Sequence, residues 1–527
     1  MNILDHTLPG KKPGIEHFDA EAVNSKENRS LYEARKQIYP KRVDGSFRRF
    51  KWTVMLITLG IYYVTPWIRW ERGTGLPDQA VLLDLANRRF YFFMIEIWPH
   101  EFFYVAGMLV MAGVGLFLVT SVLGRAWCGY TCPQTVWVDL FLVVERFFEG
   151  DRNARIKLDA NAWTTEKFAK RAAKHSAWLA LSVLTGGAWI FYFADAPTLL
   201  SDFLKGEAAY VAYATVAVLT ATTYIFGGLM REQVCTYMCP WPRIQAAMLD
   251  ENSLTVTYND WRGEPRSRHA KRLREKGEPI GDCVDCNACV AVCPMGIDIR
   301  DGQQMECITC ALCIDACDSV MSKIGLEKGL ISYATLQDYD ANMALAGAGK
   351  HAAEPKIMPQ NIRSSDGALS ERVARFAPGM LFRPRTLIYL AVYAAMGIAL
   401  VLHLTMRDRL DVKILADRNP QFVVLSDGSI RNGYELKILN MKGEAQQFLI
   451  TVGGIRGPLL SEAGSTARPR NWLATEVQPD QTRSIKLFVT MPRERLFQAS
   501  TPFTFTVSQM GSTDQKTVKT SFKSAEE

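Results

Sequence analysis

Eight of the chain's twelve cysteines fall in two runs of identical spacing. The first reads Cys283-Val-Asp-Cys286-Asn-Ala-Cys289-Val-Ala-Val-Cys293-Pro294, the second Cys307-Ile-Thr-Cys310-Ala-Leu-Cys313-Ile-Asp-Ala-Cys317. Two residues between the first three thiols, then three before the fourth, is the spacing with which thiolates hold 4Fe–4S clusters. Three thiolates on one tight turn grip three irons of a cubane, and the fourth iron takes its ligand from elsewhere. In paired runs the fourth cysteine of each serves the other cluster. The expected sets are Cys283, Cys286, Cys289 and Cys317 for one cluster, and Cys307, Cys310, Cys313 and Cys293 for the second. Structural zinc sites draw their thiols in pairs, a pattern that two identical four-cysteine runs fit poorly. Pro294 follows the first run and Asp318 the second, which alters the second cluster's surroundings and leaves all eight ligands in place.

The remaining four thiols form a second repeated pattern, Arg125-Ala-Trp127-Cys128-Gly-Tyr130-Thr-Cys132-Pro133 and Arg231-Glu-Gln-Val-Cys235-Thr-Tyr237-Met-Cys239-Pro240. Thiols four residues apart share a helical face, and the proline ends one helix while it can open the next. A lone buried pair would be simple packing. A pair repeated at one depth can bring four sulfurs together, and thiolates, with the Met238 thioether, take Cu(I), zinc or an iron–sulfur cluster. Copper and a third cluster both remain open for Cys128, Cys132, Cys235 and Cys239. The neighbouring Arg125 and Arg231 are expected to favour the ionised thiol.

Membrane helices must position these residues. A mean hydropathy of −0.02 hides strong unevenness along the 527 residues. Windows long enough to cross a bilayer, with almost no charge, occur at 51–68, 102–123, 176–194, 208–230 and 386–406. Five transmembrane helices are expected, the first two pairs being hairpins that each end in a Cys-x3-Cys-Pro segment. No apolar leader precedes the first span, which is expected to anchor itself. Lys and Arg crowd the start of span one and the connection between spans two and three, whereas 195–207 holds only Lys205. That asymmetry puts the N-terminus and the cysteine runs in the cytoplasm and the residues after span five outside. The segments expected outside contain no cysteine, as a reducing-side metal protein requires.

The expected organisation is a tail over 1–47, a four-helix membrane domain over 48–248, a two-cluster ferredoxin-like domain over 249–333, a linker over 334–385, span five over 386–406 and an outer domain over 407–527. Basic residues between Arg266 and Arg274 lack interleaved aromatics, so a solvated or headgroup-facing surface is expected and no nucleic acid. Alternation at Tyr434, Leu436 and Ile438, at Phe448, Ile450 and Val452, at Ile485, Leu487 and Val489, and at Phe503, Phe505 and Val507 predicts short strands of an immunoglobulin-like β-sandwich.

Taken together, these motifs resemble the cytochrome c oxidase accessory protein family called CcoG, FixG or RdxA. The likeness rests on Tyr39-Pro-Lys-Arg-Val43, the two Cys-x3-Cys-Pro ends, the double ferredoxin run, the fifth span and Asn432-Gly-Tyr434-Glu-Leu-Lys-Ile-Leu-Asn440. It implies a multi-pass protein of the bacterial inner membrane that acts in assembly of cbb-type cytochrome c oxidase by reducing Cu(II) to Cu(I). Its implied partners are the lipid bilayer, oxidase subunits or copper-delivery proteins, and a cytoplasmic or quinol electron donor. Related membrane polyferredoxins suggest a quinol-linked respiratory relay as the alternative. A cluster-based redox sensor or assembly scaffold is a further one.

Overall fold

Charge, glycine and proline decide where the apolar windows start and stop as helices. The computed structural model describes residues 16–24, 36–72, 76–278, 280–346, 369–370, 373–375, 377–407, 410–441, 444–479, 481–492, 499–512 and 514–524. The chain divides into two compact units, one ending at Ile398, the other made of Arg69–Asp78 and the residues from Ala399 onward.

In the first unit α1 (Ser46–Val64) is followed by a small antiparallel sheet, β1 (Val81–Asp84), β2 (Arg89–Phe92) and β3 (Ile95–Ile97). Helix α2 (Phe103–Leu123) stops at Gly124, whose φ of +57° suits glycine. Short α3 (Ala126–Tyr130) carries Cys128, and Cys132 precedes α4 (Pro133–Glu149), with proline at the first helical position. Helices α5 (Arg152–Ala160), α6 (Thr165–Thr185), α7 (Ala196–Lys205) and α8 (Tyr210–Thr223) follow. The backbone of α8 continues as a π-helix over Tyr224–Met230, and a second π turn, Val234–Met238, holds Cys235. Helix α9 (Trp241–Met248) comes next. Among the described residues three helices are long and apolar enough to cross a membrane, Pro99–Leu123, Tyr210–Met230 and Pro384–Thr405. Helix α1 begins with Arg48, Arg49 and Lys51, and α6 carries Lys167, Lys170, Arg171 and Lys174 in its first half. The window expected at 176–194 is the second half of α6 plus a 3₁₀ segment, Gly187–Tyr192.

The charged helix ends are buried as ion pairs against α4. Asp139 meets Arg48 and Lys51 at 3.1 and 2.8 Å, and Glu149 meets Arg171 and Lys174 at 3.0 Å each. Glu145 lies between Arg155, at 3.0 Å, and Arg231. Burial alone would raise the Asp139 carboxyl, but Lys51 and Arg48 hold it below its ordinary range.

The cysteine runs sit on a two-stranded sheet, β4 (Thr255–Tyr258) paired with β5 (Ile331–Ala334). Around it lie α10 (Asp260–Gly263), α11 (Ala270–Glu275), α12 (Ala288–Val292) and α13 (Leu312–Ile324). Part of the expected linker is folded. Thr335 and Asp338 form a capping box that opens α14 (Leu336–Leu345), and Met343 packs with Trp261 and Ala346. The rest of that linker up to 368 lies outside the described residues. Residues 16–24 and 36–44, expected only as a tail, bind the first run. The Phe18 N–H donates to the Cys286 carbonyl, Asn24 to Gly296 and Lys41 to Ala291.

In the second unit the four strands expected from alternation appear as β8 (Ile430–Asn440), β9 (Gln446–Gly453), β12 (Thr482–Met491) and β13 (Ser500–Gln509). They are joined by β6 (Leu410–Ala416), β7 (Val423–Val424), β10 (Leu459–Glu462), β11 (Trp472–Val477) and β14 (Gln515–Lys523). One sheet runs β10-β12-β8-β6 with β7 on β8, the other β11-β9-β13-β14. Every second residue of β8 is buried, and Tyr434 meets Phe503 and Phe505 edge-on across the sandwich.

Asp315 ties the cluster segment to α1. It lies between Cys313 and Cys317 and accepts from the Phe47 and Arg48 N–H groups at 3.2 and 2.7 Å. Helix α1 therefore takes its cap from another element, since Gly45 at its own N-cap has no side chain. Asp315→Ala is expected to cost about 1–2 kcal/mol in the unfolding free energy of the detergent-solubilised protein, and Asp315→Asn much less.

Candidate metal and electron-transfer centre

Each cluster run is bent by residues in the left-handed region. Asp285 and Asn287 have φ of +48° and +57°, and their counterparts Thr309 and Ala311 have +52° and +59°. Left-handed backbone is costly for a β-branched threonine, so a matching pair of such residues in both runs marks a functional turn. The conformation curls the main chain around each set of three thiols. Arg300 fixes the first turn through Asp285 and Asn287, at 2.8 Å each.

The fold brings the fourth thiols across between the runs. Burial raises Cys317 well above the usual thiol range, and the charges that add to it are those of Cys289, Cys283 and Cys286 and, after them, the adjacent Asp318. Burial likewise pushes Cys293 up to about 12, with Cys310 and Cys307 as its charged neighbours. Cys293, Cys307, Cys310 and Cys313 line one cavity together with Cys289, and Val256, Ile297, Ile299 and Leu312 keep it apolar. Among the described residues no three His, Cys, Asp or Glu side chains converge as a clamp for a single metal ion. The spacing of the thiols in two identical runs around curled turns fits cubane clusters better than the paired thiols of zinc sites.

The two Cys-x3-Cys-Pro segments also meet. Burial pushes Cys235 up to about 12, and the charges acting on it are those of Cys132, Cys128 and Cys239 and, after them, Glu232. Cys128 is pushed up to about 12 by burial and Cys132, against which Arg125 acts weakly. Burial raises Cys132 too, opposed by the N–H groups of Gln134 and Thr135 at the start of α4. Of the two arginines expected to favour the ionised thiols, Arg125 does so at Cys128. Desolvation outweighs Arg125, and the Arg231 charge is taken up by Glu145. A metal entering this site must displace thiol protons.

Each segment is held by a glutamine from the other. Gln134, just past Cys132, donates to the Phe226 and Arg231 carbonyls at 2.7 and 3.1 Å. Gln245, past Cys239, accepts from the Cys128 thiol at 3.0 Å. Arg125 donates to the Pro242 carbonyl at 2.9 Å and, in the opposite direction, to the Cys307 carbonyl at 3.1 Å and that of Met305.

Arg125 thereby joins both thiol segments to the second cluster run. Gly129, between Cys128 and Cys132, is packed so closely that a Cβ there would lie 2.7 Å from the Ile308 carbonyl and 3.2 Å from the Cys310 nitrogen. The Tyr333 hydroxyl donates to the Thr309 carbonyl at 2.7 Å, and the Tyr130 hydroxyl stands 3.1 Å from it. Cys128 and Cys235 pack against the same buried core as Ile308, Cys310 and Leu312. Spacing picks out the twelve thiols. Asp315, Arg300, Gln134, Gln245 and Tyr333 carry no sequence motif and emerge only from the fold.

Apolar membrane helices joined to a paired cubane-binding module define a membrane iron–sulfur redox protein. Comparison with known proteins makes the class specific. Family models described as a 4Fe-4S dicluster domain match residues 230–336, a 4Fe-4S binding domain 105–149, and the IG-like fold at the C-terminal of FixG 400–525. The chain is 61% identical over 515 residues to the nitrogen fixation protein FixG of Rhizobium meliloti, covering 98% of each. It is 51% identical to protein RdxA of Cereibacter sphaeroides over 88% of this chain and 91% of that one. To RdxB of the same organism it is 55% identical, over 83% and 86%. The chain belongs to the FixG/RdxA family.

Arg125→Ala leaves the Cys307 and Pro242 carbonyls without this donor. Amide hydrogen exchange over 305–311 is expected to quicken about tenfold or more, since an unpartnered buried polar group costs about 1–3 kcal/mol. Exchange over 283–289 should stay as it is.

Proposed function

We propose that this protein is a membrane electron-transfer oxidoreductase that reduces Cu(II) to Cu(I) during assembly of cbb-type cytochrome c oxidase. The observation that carries the reading is the contact of Gly129 with the Ile308–Cys310 turn. That contact brings the backbone between Cys128 and Cys132 against the second cysteine run, which supports electron transfer from a cluster there to a site at these thiols. Cys283, Cys286, Cys289 and Cys317 would hold one 4Fe–4S cluster, and Cys307, Cys310, Cys313 and Cys293 the other. When bound, such clusters supply one-electron carriers. Cys128, Cys132, Cys235 and Cys239 receive cupric ion as substrate, and soft thiolates favour the Cu(I) formed when it gains one electron. Gln134, Gln245 and Arg125 hold the thiol segments in register with the Cys307–Cys313 turn. The oxidase comes from family resemblance, and the chemistry of the thiols supports copper.

Five spans are part of the same proposal, with α1 and the end of α6 joining the three long apolar helices. The N-terminal end of α1, the C-terminal end of α2 and the residues after α8 all touch the cluster module. An N-terminus on the module's side, with α2 and α8 returning to it, suits five spans that leave the immunoglobulin-like domain in the periplasm. Lys and Arg make the module's side cytoplasmic.

The test is metal and sulfide content with electron paramagnetic resonance on the anaerobically purified chain, before and after Cys128, Cys132, Cys235 and Cys239 are all replaced by Ser. About eight irons and eight sulfides are expected in both, with copper reduction lost in the variant. Iron near twelve that falls by about four would show a third cluster there and overturn the copper site. In the same spectra Cys293→Ser and Cys310→Ser should disturb one signal and Cys317→Ser the other.

A further inference from the structure

Two buried guanidinium groups stand beside the two sets of thiols, and their charges are compensated differently. Arg300, whose side chain is 6% exposed, lies between two carboxylates, Asp298 at 2.6 Å and Asp285 at 2.8 Å. Asp285 meets a second cation, Arg268, at 3.4 Å, but that side chain is 60% exposed and its charge is screened by water. Asp318 adds a further carboxylate. It follows the second run in sequence, yet it adjoins Cys317, the thiol that crosses to the first set, and its charge acts there. The first set thus faces more negative charge than positive.

Arg125 stands beside the second set without such compensation. It is buried, its guanidinium is spent on the carbonyls of Met305, Cys307 and Pro242, and its Nε has no partner among the described residues. Among those residues no carboxylate comes within ion-pairing distance of it, and the half-buried Glu306 acts on it less than Cys307 and Cys128 do. Pro294, the counterpart of Asp318, adjoins Cys293 and lines the cavity of the second set. Asp315 lies between Cys313 and Cys317, a thiol of each set, and weighs on both.

A thiolate-held cluster becomes more negative on reduction, so an unpaired cation beside it favours the reduced form and carboxylates disfavour it. We propose that Arg125 holds the cluster of Cys293, Cys307, Cys310 and Cys313 at a higher potential than that of Cys283, Cys286, Cys289 and Cys317, so that electrons run from the first set to the second, toward Cys128. In that transfer one electron leaves the first cluster and one enters the second; no bond is made or broken and no proton moves. This order rests on the two-cluster reading above and gives the relay a direction.

The test is a redox titration of the anaerobically purified full chain in detergent, followed by electron paramagnetic resonance without copper, the two signals being assigned through Cys293→Ser and Cys317→Ser. In wild type the second set should take up its electron first. Arg125→Gln should make that reduction about tenfold less favourable, about 60 mV for one electron, whereas Arg125→Lys, which keeps the charge and loses the planar fork, should retain most of the wild-type value. Asp318→Asn, which keeps an acceptor for the Gly329 N–H, should ease reduction of the first set and leave the second as it is. A first set that titrates at the higher potential in wild type overturns the proposal. So does a second set left unchanged by Arg125→Gln, or one lowered equally by Arg125→Gln and Arg125→Lys, since Arg125 would then act through its hydrogen bonds alone. Where Arg125→Gln fails to hold its clusters, a first set unmoved by Asp318→Asn has the same force. Copper reduction driven by dithionite is measured on the same preparations. Its absence with the order intact counts against the copper reading alone, and an inverted order with copper reduction intact counts against the direction alone.

Discussion

The turn from Cys307 to Cys313 is the point on which the structure depends. Its left-handed Thr309 and Ala311 leave main-chain carbonyls facing outward. Those carbonyls need donors, and Arg125, Tyr130 and Tyr333 provide them. Each donor comes from an element with another task. Arg125 and Tyr130 flank Cys128, and Tyr333 belongs to the strand that pairs with β4. Satisfying the polar backbone of a strained turn thus fixes the distance between the cluster module and the membrane helices. Gly129 is part of the same constraint, because any side chain there would meet the turn's backbone.

A second constraint is the burial of charge at the helix ends. Seven basic groups, Arg48, Lys51, Arg146, Arg155, Arg171, Lys174 and Arg231, gather around the α4 carboxylates Asp139, Glu145 and Glu149 and the nearby Asp151 and Asp159. Buried ion pairs seldom add net stability, because desolvation consumes most of the attraction. Their value here is positional. Removing one partner leaves a bare buried charge, so α1, α5, α6 and the backbone at Arg231 have one low-energy register on α4. That register sets where Cys235 stands relative to Cys132.

Legibility in the amino-acid sequence tracks how local each signal is. Cluster spacing is local, because a cubane dictates which residues are cysteine within a dozen positions. The proximity of Cys317 to the thiols of the first run, and of Cys293 to those of the second, is what the same spacing leads one to expect. Strands β8, β9, β12 and β13 alternate strongly and are legible, whereas β6, β10, β11 and β14 border irregular segments and have weaker patterns. The electrostatic state of the membrane-boundary thiols is not legible. Sequence shows Arg125 and Arg231 beside Cys128 and Cys235, but not that one guanidinium is spent on carbonyls and the other on Glu145. The N-terminal strap carries only the short motif from Tyr39 to Val43, which does not reveal the hydrogen bonds that the strap makes to residues more than two hundred positions away.

The repeat itself is broken where chemistry asks most of it. The two copies match only in part, for Arg125 precedes Cys128 by three residues and Arg231 precedes Cys235 by four. The backbone repeats even so, for Gly124 and Arg231 each stand four residues before the first thiol, with φ of +57° and +45°, and in the second copy π turns lie on both sides of Arg231. A π turn widens the helix and rotates the residues beyond it, and such turns are common at functional sites. Shifted by one position along this backbone, Arg231 pairs with Glu145 where Arg125 reaches the Cys307 and Pro242 carbonyls, so two like turns put their guanidinium groups to different uses.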